Sequence, residues 1–477
     1  MIGKLSRREC MGGLAGLPVF GLASEVAAAT GVVTPEQFGA KGDGRINDTL
    51  AFTALSEFVN RRGGGEIVLR PVTYIVGRQA PHRRPHYAFG PADILAFSGC
   101  SAPLVIRGNG ARLRGAPGLR FGTFDMRTGA PTRDKMPYLG SQDPSAPDLA
   151  SPYFAMIDIQ DCSGPVEISD IELDGNGAAM VIGGQYGDSG WQIPSSGVRL
   201  RNNRGPEILS RVHSHHHLLD GLTLDGPVSR SGESRFTKVV CEYNGRQGCS
   251  LVGGRRYVFV DCKFNHTGRA GITSAPGAGF DVEAEDNTIR DVRFSGCEFV
   301  NNSGAGMIAD SGDSEGVSFD RCRFVGTTNW SAWPRKPHMS FDTCEFVGAI
   351  VSAYGDKDPG RAAHFRDCIF RDDPKLSLTG KIYAPPPLRT IAELPYSPNA
   401  RFDRCRFVLT HDAVLPWSQS DVIYADCVMS QKAAKKSYPR GTFLGSNRID
   451  ADVDLYGSKI IGTVVLNGTT LQHRTIG

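Results

Sequence analysis

The stretch FVDCKF at 259–264 recurs as FSGCEF (294–299), FDRCRF (319–324), FDTCEF (341–346), FRDCIF (365–370), FDRCRF (402–407) and YADCVM (424–429). VVCEY (239–243) opens the series, and successive cysteines from Cys241 to Cys427 lie 21, 35, 25, 22, 24, 37 and 22 residues apart. A period of roughly 20 to 30 residues with strand-type alternation predicts a solenoid in which each repeat is one coil. Cys and the Phe two positions later share one face of a strand, so both are expected inside. Coils stacked at a strand spacing of ~4.8 Å would align like residues into ladders, with the thiols as a buried column. Parallel Cβ vectors of neighbouring rungs bridge poorly, which favours free thiols acting as small hydrophobes over disulfides. The absence of C-x-x-C argues against zinc on these cysteines.

The chain has 477 residues, 58 of them Gly, with 22% charged residues and a formal net charge of +3. That balance carries no sign of a nucleic-acid partner. Ser6-Arg7-Arg8, the apolar run Met11 to Ala23 and Ala27-Ala28-Ala29 resemble a twin-arginine export signal with its cleavage site. A frayed amphipathic N-terminus is the alternative. On the first reading, 1–29 is the signal and 30–477 a single domain, periplasmic or secreted. No later apolar run approaches the ~20 residues that span a bilayer, so no membrane partner is expected after cleavage. Pro81 to Ser151 and Lys375 to Asn399, rich in Gly, Pro or Arg, are expected as long loops, at about 78–151 and 375–399.

TPEQFGAKGDGRINDTLAFTAL (34–55) and RRGGGEIVLRPVTYIVG (61–77) resemble the entry segment of the pectate-lyase-like superfamily. The resemblance implies an all-β fold, a right-handed parallel β-helix closed at one end by a capping helix, with a groove along one sheet for an extended polysaccharide. The residues agree with the cap. Asn47, Asp48 and Thr49 offer an N-cap, Leu50, Ala54, Leu55 and Phe58 have helical spacing, and Gly63-Gly64-Gly65 ends the helix before an alternating strand.

GAGFDVEAED (277–286) carries the chemistry. Asp281, Glu283 and Glu285 alternate with Val282 and Ala284, so Phe280, Val282 and Ala284 would face the core and the carboxylates solvent. Aligned with DGLTLDG (220–226), QGCSLVGG (247–254) and AGMIADSGD (305–313), this gives two wet columns. One is Thr223, Ser250, Asp281, Ile308; the other is Asp225, Val252, Glu283, Asp310. Crowded carboxyls raise one another's proton affinity, as an acid–base pair for glycoside hydrolysis requires. Asp281, Glu283 and Asp310 are the candidate catalytic residues. The same row would also serve as a solubilising face or a Ca²⁺ site. Candidate substrate-binding residues are Asp225 and Glu285, then His266 and Arg269 in the loop NHTGRAGITSAPGAG, and Trp330, Trp333 and Lys336 in TTNWSAWPRKPH, where aromatic faces suit sugar rings. Each has a plainer reading as a solvated turn or a packed rung.

HSHHHLLDG (213–221) aligns His213 with the Cys position and His215 with the inward aromatic position, leaving His216 and His217 in the turn. Contiguous histidines do not all converge on one ion, so no metal ligand is assigned.

The favoured function is an exported hydrolase of an extended polysaccharide that requires no cofactor. The alternative is a polysaccharide lyase, in which Ca²⁺ on the carboxylates neutralises a uronate while Arg269, His266 or Lys336 removes the C5 proton. A third reading is a non-catalytic glycan-binding coil. The N-T-D, G-H-G and R-I-K motifs of polygalacturonases are absent, so that activity is not carried over. The sequence sets no oligomeric state.

Overall fold

The computed structural model describes residues 31–477 except 82–88, 136–148, 186–191, 231 and 420. The export signal read at 1–29 lies outside the described residues.

The repeat builds a coil because of one backbone position. The residue before each frame cysteine is left-handed: Asp261 (φ 53), Gly296 (φ 64), Arg321 (φ 49), Thr343 (φ 54), Asp367 (φ 52), Arg404 (φ 51) and Asp426 (φ 55). A single left-handed residue bends the strand and resets its alternation. Phe259, Cys262 and Phe264 therefore all reach the interior, each no more than 2% exposed, as do their counterparts along the coil. The bend separates two strands per coil, and a third completes the turn. The first sheet includes Leu95–Ser98, Ala155–Gln160, Ser196–Arg201, Asp220–Asp225 and the leading halves of Gln247–Val260, Ala278–Ser295 and Met307–Asp320, followed by Ala332–Pro334. The trailing halves of those long strands continue into the second sheet, and strands such as Lys263–Asn265 and Glu298–Val300 form the third. Among the described residues they make a 34-stranded ladder that is parallel except for its final pair. The chain is a parallel β-helix, as expected.

Two aromatic columns fill the core. Phe259, Phe294, Phe319, Phe341, Phe365 and Phe402 stack at 4.6–4.9 Å with ring planes within 9°. Phe299, Phe324, Phe346, Phe370 and Phe407 stack at 4.6–4.9 Å beside them. These separations match the strand spacing, so ladder geometry sets ring geometry. The eleven cysteines among the described residues are all buried and free. In the column most thiols donate to a carbonyl of the coil before, for example Cys344 Sγ to Phe319 O at 3.5 Å and Cys368 Sγ to Phe341 O at 3.4 Å, whereas Cys322 Sγ donates to Asp320 O of its own coil at 3.4 Å.

Three expectations are corrected. Cys241 pairs with Phe264, not with Cys262, and Val239 after left-handed Lys238 takes the thiol position. One coil earlier Ser214 pairs with Cys241, so Ser214 and not His215 is the inward residue there, while His213 pairs with Val240. The left-handed residue, not the cysteine, marks the register. Finally, neither expected long loop is one loop, because Leu95–Ser98 and Leu104–Gly115 within 78–151 and Ala392–Leu394 within 375–399 are rungs of the ladder.

The capping helix α1, Thr49–Arg62, starts where Asn47 Oδ1 accepts from Thr49 N at 3.1 Å and stops at Gly63 (φ 71). It buries Ala51, Phe52, Leu55 and Val59, so its inner face is rotated from the one expected and Leu50 is exposed. Its polar side chains pair with the edge strand Leu95–Ser98. Asn60 donates to Ala96 O at 2.9 Å and accepts from Ser98 N at 3.1 Å, in place of a further strand.

Candidate functional site

The outward residues of the first sheet stack as Asp158, Arg199, Thr223, Ser250, Asp281, Ile308 and Trp333. Phe280, Val282 and Ala284 line the core, so the alternation puts Asp281, Glu283 and Glu285 on the outer face. Outer does not mean wet. Asp281 is only 4% exposed and accepts from Gln247 Nε2 at 2.6 Å, while its Oδ1 has no partner. The Glu283 side chain is 20% exposed, and Glu285 and Asp310 are exposed.

The second expected column does not form. The ladder shifts between Asp281 and Glu283, so Glu283 faces Ser311, and Asp310 is the extra residue of a bulge. A second shift after Leu224 sets Asp225 opposite Gly253, not Val252. Bulges re-aim side chains. Here they gather Asp225, Glu283, Glu285 and Asn287 around a cleft of about 400 Å³, with Arg246 and Ser250 on its wall.

Arg246 grips Asp220 through two bonds of 2.8 and 2.6 Å and lies 3.9 Å from Glu283 Oε1. Ser250 Oγ donates to Glu283 Oε1 at 2.5 Å. Burial raises the proton affinity of Glu283, with Arg246 and the Ser250 hydroxyl pulling the other way. Burial also holds Asp281 well above the usual carboxyl range, helped by the fields of Glu283 and Asp310. Asn287 Nδ2 donates to Asp225 Oδ1 at 3.0 Å across the cleft. Arg246 and Gln247 were not read from the sequence as site residues. Arg246 ends a turn and Gln247 opens the strand Gln247–Val260, and they meet the acidic row only because this strand stacks on Ala278–Ser295, with Ser250 opposite Asp281.

The remaining candidates divide. Trp333 extends the column beyond Ile308, half-buried, with an unpartnered Nε1. Lys336 Nζ donates to Gly312 O at 2.7 Å and feels the charge of Asp310. Trp330 packs edge-on against Tyr383 at 5.2 Å and on Ala278, Ala305 and Ile308, as a rung cover. His266 and Arg269 are not gathered with the carboxylates. His266, left-handed at φ 58, stacks on Tyr243 at 4.8 Å and meets Asn301 Nδ2 at 3.0 Å. Arg269 donates to Asn301 O, Asn302 O and Thr328 Oγ1, bracing the next turn. His266 and Arg269, expected as substrate-binding residues, belong instead to a turn ladder that starts at a left-handed corner.

No family model and no curated protein sequence matches the chain. Among solved structures, the A-module of the mannuronan C-5 epimerase AlgE4 of Azotobacter vinelandii is similar over 88% of this chain and 95% of its own, at 14% identity and a TM-score of 0.43. The tailspike protein gp49 of the Acinetobacter baumannii bacteriophage Fri1, a capsular polysaccharide depolymerase, is similar over 94% of this chain and 65% of its own, at 13% and 0.39. Pectate lyase Pel9A is similar over 82% and 77%, at 12% and 0.36. The overlap is loose at these scores, and the fold rests on the strand register of this chain.

Proposed function

We propose that the protein is a carbohydrate-active enzyme that hydrolyses glycosidic bonds of an extended polysaccharide lying along the first sheet. Glu283 is the general acid and Asp225, fixed by Asn287 on the same cleft, is the base. The observation that carries this reading is the placement of Glu283: it lines the cleft, is partly exposed, and has a raised proton affinity. Such a group holds a proton for the leaving oxygen and reaches substrate. Asp281 is buried and does not line the cleft, and the coils that follow carry Asp310 on its bulge and, beyond it, Trp333 and Lys336. These last two suit an adjoining sugar, the ring against the indole and an acidic group against the ammonium.

β-Elimination is the second reading, favoured by Arg246 and Lys336, cations that would meet a uronate carboxylate. It loses two of its bases, because His266 and Arg269 are committed to the turn ladder. The test is to incubate the protein with a polysaccharide panel and follow reducing ends together with absorbance near 235 nm, with and without chelator. Reducing ends alone support hydrolysis; absorbance rising with them shows a lyase. No product from any glycan overturns both in favour of a binding coil.

A further inference from the structure

The HSHHH run lies where the third sheet turns into the first, away from the acidic cleft. His217 is its most deeply buried member. Its ring meets Tyr153 Oη at 3.0 Å and Leu173 O at 3.1 Å, and burial pushes its pKa down to about 3. His215 and His216 point elsewhere. Consecutive side chains on a strand diverge, but His216 is left-handed (φ 56), and this corner swings its ring to the side of His215. The two Nδ1 atoms lie 2.7 Å apart, and Asp174 Oδ1 of the preceding coil is 3.9 Å from His215 Nδ1. The coil carrying Asp174 passes this close through glycine: a Cβ on Gly175 would stand 2.4 Å from His216 O.

We propose that Asp174 Oδ1, His215 Nδ1 and His216 Nδ1 bind a borderline first-row divalent ion, of which Zn²⁺ is the type. Among the described residues these form the one group of three ligand atoms lying within 4.8 Å of one another. Bonds of about 2.0–2.2 Å place tetrahedral ligand atoms roughly 3.3 Å apart. Two of the three separations, 2.7 and 3.9 Å, bracket that value, and the third lies within 4.8 Å.

An independent observation supports the assignment. His215 Nε2 lies 3.1 Å from Glu172 Oε1, which places the ring proton on Nε2 and leaves the Nδ1 lone pair free. A carboxylate behind an imidazole is the outer-shell partner that metal-binding histidines carry. Glu172 is in turn held by Arg112 Nε at 3.1 Å. Asp174 Oδ1 accepts from Asn176 N at 2.8 Å, while Oδ2 is taken by Arg112 and Arg114. These two guanidiniums reduce the negative charge of the site. A hard oxygen-seeking cation such as Ca²⁺ is therefore disfavoured, and binding rests on the two nitrogens. The atoms open on a cleft of about 220 Å³, which leaves room for a water as fourth ligand.

The competing arrangement is an imidazole–imidazole hydrogen bond with no ion. Untagged full-length protein, stripped with chelator, is titrated with Zn²⁺ by calorimetry and with Co²⁺ by visible absorbance. We expect one ion per chain, at least 100-fold weaker binding in His216→Asn and in His215→Gln, and roughly 10- to 100-fold weaker binding in Glu172→Gln. Asn keeps the left-handed preference at 216, and melting curves of the chelated variants verify folding. The proposal is overturned by binding within twofold of wild type in the two folded histidine variants, or by no saturable Zn²⁺ binding in the wild type.

Discussion

At Asp281 a carboxyl sits on the outer side of a strand and is still buried, because Gln247 and its neighbours on adjacent coils close over it. Its proton is held more tightly in the folded chain than in the unfolded one, where the ordinary value is 3.8. The stability from this group is therefore complete below that pH and is lost as pH rises toward the folded value. Asp281→Asn cannot ionise, so its melting temperature should exceed that of the wild type at about pH 8, with the gain vanishing at about pH 3. An equal difference at both values would show that no buried proton is involved. Glu283 has a different role at the same scale. Glu283→Gln should lower kcat on the cleaved glycan by about 10²- to 10⁴-fold without lowering the melting temperature, and full activity in that variant would remove the acid from the site. The alternation DVEAE already placed these side chains on the outer face. It did not show that Asp281 is covered or that Asp310 slips off register, because cover and bulge come from coils distant in sequence.

Within one coil, the left-handed residue before each cysteine is the structural device. Thr343 occupies it with a β-branched side chain at φ 54, a conformation such residues resist. Thr343→Gly should raise the urea midpoint by about 1 kcal/mol of stability with an unchanged slope, and a loss would show that the threonine is not strained. The ladders bear the opposite sensitivity. Phe319 stacks between Phe294 and Phe341 and is 1% exposed, so Phe319→Ala should cost about 3–5 kcal/mol by the same measurement. The buried thiols, which donate to carbonyls and form no bridge, should stay unreactive to a thiol reagent until denaturant is added. The frame F-x-x-C-x-F made the inward pair legible. The misplaced Cys241 and His215 show its limit: a cysteine is one of several side chains that fit inside, whereas the corner depends on φ, which no side chain announces when Asp, Arg, Thr and Lys all occupy it.

For the molecule as a whole, a stacked coil is stable only where each end is closed, since each rung touches only its neighbours. Helix α1 closes one end by giving Asn60 and Ser56 to a strand edge, and the antiparallel pair Lys459–Leu466 and Thr469–Thr475 turns the ladder at the other. Removing residues 457–477 should expose that edge and drive self-association, seen as a rise in scattering mass. A truncated chain that assembles no further than the full-length chain would show that the hairpin is no cap. The sequence by itself determined the coil, its inner lining and the presence of an acidic row, because a repeat of like side chains at a fixed period can bury its apolar face only by stacking. Which acids share a cleft, which one loses water, and which histidines meet was decided by tertiary structure alone. Those relations depend on bulges and left-handed corners that shift one coil by a single residue against the next.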